Sequence, residues 1–181
     1  KTGIYGMIGG QTVDVELTGC PVPEEKLDFI YRLKTGALLE ASMMIGAVMA
    51  GADEETVKKC GEVALKVGLA FQIQDDIIDL LTPSDVSGKN QASDLRENKQ
   101  TIVAVTAREM GVDLSKFHKA DLSADEIAEA VSLLEGSGVL DAVRQKSEKL
   151  ISDAKNGLSV IPDSEYKTMM MELVDFFISR E

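Results

Sequence analysis

Apolar residues recur along most of the chain at the three- and four-residue spacing of helices, and no stretch alternates as a half-buried strand would. The pattern predicts helical segments at about 6–17, 24–51, 54–80, 101–110, 124–135, 138–158 and from 164 to near the C-terminus. The segment 54–80 is apolar on nearly every side, which is typical of the central helix of a large bundle. We therefore expect an all-α protein with no internal domain boundary.

Polar residues at the expected helix ends support these boundaries. Asp53 is a predicted N-cap, and Ser123 followed three residues later by Glu126 has the spacing of a capping box. Asp163 is the predicted cap of the last helix. The longest apolar run, 41–52, is shorter than the roughly 18 residues of a membrane span, so we expect a buried helix there and no membrane span.

Composition narrows the possible functions. The formal net charge of −12 makes a nucleic acid or an anionic membrane an unsuitable partner and raises the question of a divalent cation. Cys20 and Cys60 are too few and too isolated for a zinc site or a disulfide framework. We interpret them as reduced thiols and expect a cytoplasmic location.

Three carboxylates stand out near the end of the central helix: Asp75, Asp76 and Asp79. On a helix Asp75 and Asp79 share one face, about 6 Å apart along the axis, with Asp76 beside them. Such a cluster opposes the negative end of the helix dipole, and a hard cation such as Mg²⁺ would offset that cost. The alternative from these residues alone is a solvated acidic helix end.

The polar segment that follows supplies two lysines. Lys89 comes directly after Gly88, and Lys99 follows a further polar run. Lysine ammonium groups suit phosphate oxygens, so carboxylates followed by lysines indicate a metal-bridged polyphosphate site. Taken alone, each lysine would be expected to face solvent.

Four ordered blocks resemble the trans-isoprenyl diphosphate synthases, the family of farnesyl and geranylgeranyl diphosphate synthases. They are the Gly-Gly-Gln-x-x-Asp segment at 9–14, the Lys-Thr-Gly-Ala segment at 34–37, the second aspartate-rich region at 71–99, and the tail from Leu158 to Arg180. The resemblance implies a large antiparallel helical bundle of the isoprenoid synthase type without its N-terminal helices. Residues 1–181 would then be the C-terminal part of a single isoprenoid synthase domain.

The resemblance also implies roles for individual residues. Mg²⁺ would be held by Asp75, Asp76 and Asp79. The substrate-binding residues would be Gln11, Asp14, Lys34, Lys89 and Lys99. The catalytic residues would be Lys34, which holds the leaving diphosphate, together with Thr35 and Gln72, which face the developing carbocation. The lone histidine, His118, lies in a polar connection far from these motifs in sequence.

The implied reaction is the Mg²⁺-assisted condensation of isopentenyl diphosphate with an allylic diphosphate, in an enzyme that is usually a homodimer. We expect farnesyl diphosphate as the product, with geranylgeranyl diphosphate as the alternative. The family's first aspartate-rich motif lies N-terminal to Lys1, so the chain alone is expected to be inactive. A non-catalytic partner subunit remains open, and a class I terpene cyclase fits the 9–14 and 34–37 blocks less well.

Overall fold

The computed structural model describes residues 1–83 and 90–179, so Lys89 and Arg180 lie outside the described residues. The helices are α1 (Met7–Glu16), α2 (Glu24–Tyr31), α3 (Ala37–Met49), α4 (Glu54–Leu81), α5 (Ser93–Arg96), α6 (Ile102–Glu109), α7 (Ala124–Gly136), α8 (Val139–Gly157) and α9 (Glu165–Ser179). A π-helical turn joins α2 to α3 at Arg32–Gly36, and 3₁₀ turns occur at Ser115–Phe117 and Leu158–Val160. No strand occurs within the two described ranges, and the prediction of an all-α fold is confirmed.

Helix α4 is the centre of the bundle, as its apolar composition predicts. Its most extensive contacts are with α8 and α3, and it also packs against α9, α2 and α6. Its buried side chains leave the helix in several directions, which explains why no polar face is present along most of its length. The polar end of α4 is the exception, and it forms part of the site described below.

The segment 24–51, predicted as one helix, is divided by the π-helical turn Arg32–Gly36. Two glycines allow this turn to lie close to its neighbours. A Cβ on Gly10 of α1 would be 2.5 Å from the backbone nitrogen of Lys34, and a Cβ on Gly68 of α4 would be 3.0 Å from the Cα of Gly36. The turn therefore lies in backbone contact with both helices, and π-helical turns of this kind are frequent at functional sites.

Two of the three predicted helix caps are confirmed. Asp53 accepts a hydrogen bond from the backbone N–H of Thr56, and Ser123 and Glu126 form the full capping box. The prediction for Asp163 is wrong. The hydroxyl of Ser164 accepts from the backbone N–H of Lys167, whereas Asp163 pairs with the Lys167 ammonium group. Asp163 and Ser164 are neighbours, and sequence spacing alone does not show which of the two is the N-cap.

The apolar run 41–52 is not buried as predicted. Ile45, Val48 and Met49 are 59%, 60% and 84% exposed, and Ala37 is the buried residue of α3. Helix α3 buries its other side against α4, so one of its two apolar faces remains at the surface. Among the described helices, none combines the length and the apolar composition that crossing a bilayer requires.

We expect Gly10→Ala to destabilise the chain by about 1–3 kcal/mol, because the added methyl group meets the backbone of the π-helical turn. Gly46→Ala is the matched control. Gly46 lies inside α3 with open space around its Cβ position, so alanine there should stabilise by about 0.5–1 kcal/mol. Urea unfolding of both variants beside the parent chain measures the two effects. Equal effects of the two substitutions would contradict the close packing of α1 on the turn.

Candidate functional site

A polar cleft of about 280 Å³ lies at the C-terminal end of α4. Its lining residues are Gln72, Asp75, Asp76, Ile78, Asp79, Asn90, Ser93, Asp94 and Lys99. Four carboxylates and one ammonium group therefore face a space large enough for a small polyanion and its counterions. The cleft joins the acidic end of α4 to α5 and the residues beside it.

The carboxylate of Asp79 is held by the start of α5. Its Oδ1 accepts from the hydroxyl of Ser93 at 2.5 Å, and its Oδ2 accepts from the backbone N–H of Asp94 at 3.0 Å. The side chain of Asp94 in turn accepts from the ammonium group of Lys99 at 2.8 Å. Asp94 thereby connects a carboxylate of α4 to the lysine of the following segment, and it fixes the position of both.

Asp76 lies at the buried, inner side of the cleft, although it is adjacent to Asp75 in the chain. It is 6% exposed, and its Oδ2 accepts from the Tyr31 hydroxyl at 2.5 Å and from the backbone N–H of Ile102 at 3.1 Å. Burial raises the pKa of Asp76 to about 7, against the lowering effect of the Tyr31 hydrogen bond. The three carboxylates therefore do not form one uniform cluster.

The π-helical turn brings two further residues to the site. The hydroxyl of Thr35 donates to Oε1 of Gln72 at 2.9 Å, and the ammonium group of Lys34 pairs with Asp14 of α1 at 2.7 Å. Gln11 lies one turn before Asp14 on α1, but it is exposed and is not part of the cleft lining. The turn thus presents a hydroxyl to the Gln72 amide of α4 and an ammonium group to the Asp14 carboxylate of α1.

The charges around Lys99 depend on one another. Burial opposes the charged form of Lys99, but its hydrogen bond to Asp94 and the nearby charges of Asp94, Asp76 and Asp14 together raise its pKa. Burial raises the pKa of Asp94, and the hydrogen bond and charge of Lys99 act in the opposite direction. The carboxylate of Asp14 thus influences Lys99 as well as Lys34, which places α1 beside the cleft.

His118 is closer to the site than its sequence position indicates. It lines a small cavity of about 20 Å³ under the cleft, together with Asp79, Asp94 and Lys99. A volume of this size holds about one water molecule. Burial lowers the pKa of His118, so the neutral imidazole is favoured there.

The structure brings most of the sequence-predicted residues together. The cleft lining contains Gln72, Asp75, Asp76, Asp79 and Lys99, and Asp14, Lys34 and Thr35 are joined to it by the contacts above. Lys89 is outside the described residues. The sequence analysis missed Tyr31, Ser93 and Asp94 as members of the site. Asp94 is five residues before Lys99, yet nothing in that spacing indicates which carboxylate its backbone would hold.

The cleft is rich in oxygen atoms that could bind a metal ion. Among residues 1–83 and 90–179, no three acidic, histidine or cysteine side chains converge as ligands of a single metal ion. Mg²⁺ is commonly bound by one or two carboxylates, with waters and substrate phosphates completing its shell. Asp75 and Asp79, both on the cleft wall, supply hard oxygen ligands of this kind. The donor set therefore suits a divalent cation that arrives with a phosphate ligand.

Comparison with known protein families agrees with this arrangement of carboxylates and lysine. Residues 1–134 match the family model described as polyprenyl synthetase. The chain belongs to the polyprenyl synthetase family. Among curated members, a geranylfarnesyl diphosphate synthase of Natronomonas pharaonis is 38% identical over 173 residues, covering 94% of this chain and 50% of its own length. The farnesyl diphosphate synthase of Escherichia coli is 31% identical over 181 residues, covering 99% of this chain and 50% of its own length.

Solved structures of polyprenyl synthetases share the fold. The geranylgeranyl pyrophosphate synthetase of Geoglobus acetivorans superposes with a TM-score of 0.85 at 31% identity, over 96% of this chain and 54% of that one. A polyprenyl synthase of Caulobacter crescentus, solved with calcium and isoprenyl diphosphate, has a TM-score of 0.84 at 26% identity, over 96% and 55% of the two chains. The isoprenoid synthase type of bundle is thereby confirmed. The chain spans about half the length of the relatives it matches.

The buried carboxylate predicts a pH-dependent effect of Asp76→Asn on metal-free stability. Because the pKa of Asp76 is raised from 3.8 to about 7, the folded protein retains a proton that the unfolded chain has lost between these values. The contribution of Asp76 to the stability of the parent therefore falls as pH rises from about 4 to 7. Asparagine cannot ionise, so the variant should become more stable than the parent across this range, by roughly 2–4 kcal/mol at pH 7.

Urea unfolding in the presence of a chelator, at pH values from 4 to 8, measures this difference. The advantage of the asparagine variant should grow with pH and then level off above 7. A difference that is constant with pH, or that favours the parent at pH 7, would contradict the raised pKa of the buried Asp76 carboxyl.

Proposed function

We propose that this chain is the part of a short-chain trans-prenyl diphosphate synthase that binds the diphosphate of the allylic substrate. The observation that carries the proposal is the cleft at the end of α4, where Asp75 and Asp79 face Lys99. Carboxylates without a cation would repel a diphosphate, and lysines alone would not explain the carboxylates. A diphosphate that binds together with a divalent cation accounts for both.

Each group of the cleft has a defined task under this proposal. Lys34 and Lys99 donate hydrogen bonds to diphosphate oxygens, which stabilises the negative charge that develops as the carbon–oxygen bond breaks. Lys34 is held by Asp14, and Lys99 is held by Asp94. The two ammonium groups are therefore fixed in place before substrate binds, so that little reorganisation accompanies the reaction.

The pair formed by Thr35 and Gln72 supplies uncharged dipoles next to the leaving group. Their mutual hydrogen bond fixes the direction of the two side chains. Hydroxyl and amide oxygens can stabilise a developing allylic cation electrostatically. Because the Thr35 hydroxyl is hydrogen-bonded to Gln72, it is less free to react with that cation. Exclusion of water from the closed cleft would serve the same purpose, since water would otherwise compete with isopentenyl diphosphate.

Mg²⁺ is the proposed cofactor, held by Asp75 and Asp79 and, through one oxygen, by Asp76. When bound, it would neutralise charge on the diphosphate and so make it a better leaving group. Calcium in the Caulobacter crescentus relative supports a divalent cation in this family. The proposal assigns Lys89, and Gln11 with Asp14, to the surroundings of the same diphosphate.

The proposed product is farnesyl diphosphate, with isopentenyl diphosphate and an allylic diphosphate as substrates. The names of the relatives range over farnesyl, geranylgeranyl and geranylfarnesyl diphosphate synthases, so product length requires a direct assay. A cytoplasmic homodimer is the assembly expected from the resemblance of the sequence to this family. Size-exclusion chromatography of the full-length protein addresses that part of the proposal.

We expect Asp75→Ala in the full-length protein to reduce Mg²⁺-dependent prenyl transfer by about 100-fold or more, because one cation ligand is lost. Glu62→Ala is the matched control, since Glu62 is an exposed carboxylate on the same helix. Product formation from labelled isopentenyl diphosphate is measured at several Mg²⁺ concentrations. Unchanged turnover in Asp75→Ala, or an equal loss in Glu62→Ala, would contradict the assignment of the cleft.

A second test concerns the 181 residues as an isolated polypeptide. We expect the purified chain to form no farnesyl diphosphate, because the first aspartate-rich motif of the resembling family is not among its residues. The full-length protein at the same concentration is the positive control. Farnesyl diphosphate made by the isolated chain would show that one aspartate-rich region is sufficient.

A further inference from the structure

The hydroxyl of Tyr31 occupies a position where three parts of the fold meet. It donates to Oδ2 of Asp76 on α4 and accepts from the backbone N–H of Ile102, the first residue of α6. The N–H of Ile102 also points to Asp76 Oδ2 at the same distance of 3.1 Å. The hydroxyl, the N–H and the carboxylate oxygen thus form a closed triangle of hydrogen bonds in the buried interior.

The protonation of each group determines which members of the triangle donate a hydrogen bond and which accept one. Burial and the adjacent Asp76 charge raise the pKa of Tyr31 well above its usual value, so the phenol keeps its proton and acts as a donor. Ile102 has no intrahelical partner for its N–H, because it is the first residue of α6. Both donors therefore point to one oxygen of Asp76, and the other oxygen is the one that can serve the cleft.

The three segments joined by this triangle are those that carry the candidate diphosphate ligands. Tyr31 is the last residue of α2 and directly precedes the π-helical turn with Lys34 and Thr35. Asp76 lies between Asp75 and Asp79 in the sequence of α4, and Ile102 follows the segment that carries Lys99. A shift at Tyr31 would therefore move the turn, the carboxylates and the lysine segment relative to one another.

We propose that Tyr31 is a positioning residue. It aligns the Asp76 carboxylate and thereby fixes the π-helical turn, the end of α4 and the segment that carries Lys99 relative to one another. This inference rests on the proposed function. It adds Tyr31, which does not line the cleft, to the residues that serve that function. A phenylalanine would fill the same space, because the ring of Tyr31 is buried and one oxygen atom is removed. The alternative role is core packing alone, which phenylalanine would fulfil equally well.

The test uses the full-length protein with Tyr31→Phe, Asp76→Asn and the double variant. Tyr166→Phe is the matched control, since Tyr166 is 69% exposed on α9. Two quantities are measured: the Mg²⁺ concentration that gives half-maximal thermal stabilisation in the presence of inorganic pyrophosphate, and the KM values for the allylic and the isopentenyl diphosphate. Melting temperatures in chelator report stability without metal.

We expect Tyr31→Phe to raise the Mg²⁺ midpoint and the allylic KM by about tenfold, the effect of losing one hydrogen bond to a charged group. The KM for isopentenyl diphosphate should stay within about twofold of the parent, because the triangle touches only the allylic side of the proposed site. The double variant should match Asp76→Asn alone, since Tyr31 acts through Asp76. Because Asp76→Asn removes the buried carboxylate charge, we expect the double variant to fold even if Tyr31→Phe alone does not.

Three results would overturn the inference. A Tyr31→Phe protein with the parent's Mg²⁺ midpoint and allylic KM would reduce Tyr31 to core packing. A double variant that shifts the midpoint beyond Asp76→Asn would show that Tyr31 acts by another route. A parent protein that shows neither pyrophosphate-dependent Mg²⁺ stabilisation nor prenyl transfer would refute the proposed function and the inference with it.

Discussion

The buried carboxylate of Asp76 is the constraint on which the arrangement of the site depends. An unpaired carboxylate in the interior costs several kcal/mol, so it persists only where donors are held against it. Those donors come from Tyr31 and Ile102, which are 45 and 26 residues away in the chain. Helices α2, α4 and α6 must therefore be assembled in one relative position for the carboxylate to be tolerated. The same position brings the turn after α2 and the segment before α6 to the cleft.

Close backbone packing fixes the π-helical turn, whose Thr35 contacts Gln72 of the cleft lining. Gly10 and Gly68 leave no room for a Cβ beside the π-helical turn, so α1 and α4 approach the turn from two sides. The backbone contacts restrict the turn more than side-chain packing would, because side chains can change rotamer whereas peptide groups cannot. Lys34 and Thr35 consequently project from a rigid segment. A rigid support of this kind reduces the reorganisation needed when a charged substrate binds.

Sequence patterns predicted those features that depend on local interactions. The boundaries of α4, α7 and α8 follow from apolar spacing, and the caps at Asp53 and Ser123 involve residues three positions apart. The cleft residues on α4 were predictable for the same reason, since Asp75 and Asp79 share a helix face by spacing alone. A resemblance between short sequence blocks then indicated that the turn and the lysine segment belong to the same site.

Features that depend on contacts between distant segments were not predictable. Helical spacing does not determine how deeply the Asp76 carboxylate is buried, because that depends on its contact with Tyr31. The π-helical turn likewise results from packing against α1 and α4, and the exposed face of α3 depends on what covers it. His118 reaches the small cavity through the fold of 90–118 as a whole. In each case the decisive partner is far away in the sequence.

The charge balance of the cleft restricts how a polyphosphate can bind. Among the lining residues that the structure describes, the acidic side chains outnumber the basic ones, and Lys99 is already paired with Asp94. Lys34 is likewise paired with Asp14. A diphosphate entering alone would meet excess negative charge in a partly buried space, where such repulsion is weakly screened. A divalent cation that enters with the diphosphate reverses the sign of this interaction. Cation and diphosphate should therefore bind cooperatively, with Lys34 and Lys99 keeping their carboxylate partners while their remaining N–H groups donate to the phosphate oxygens.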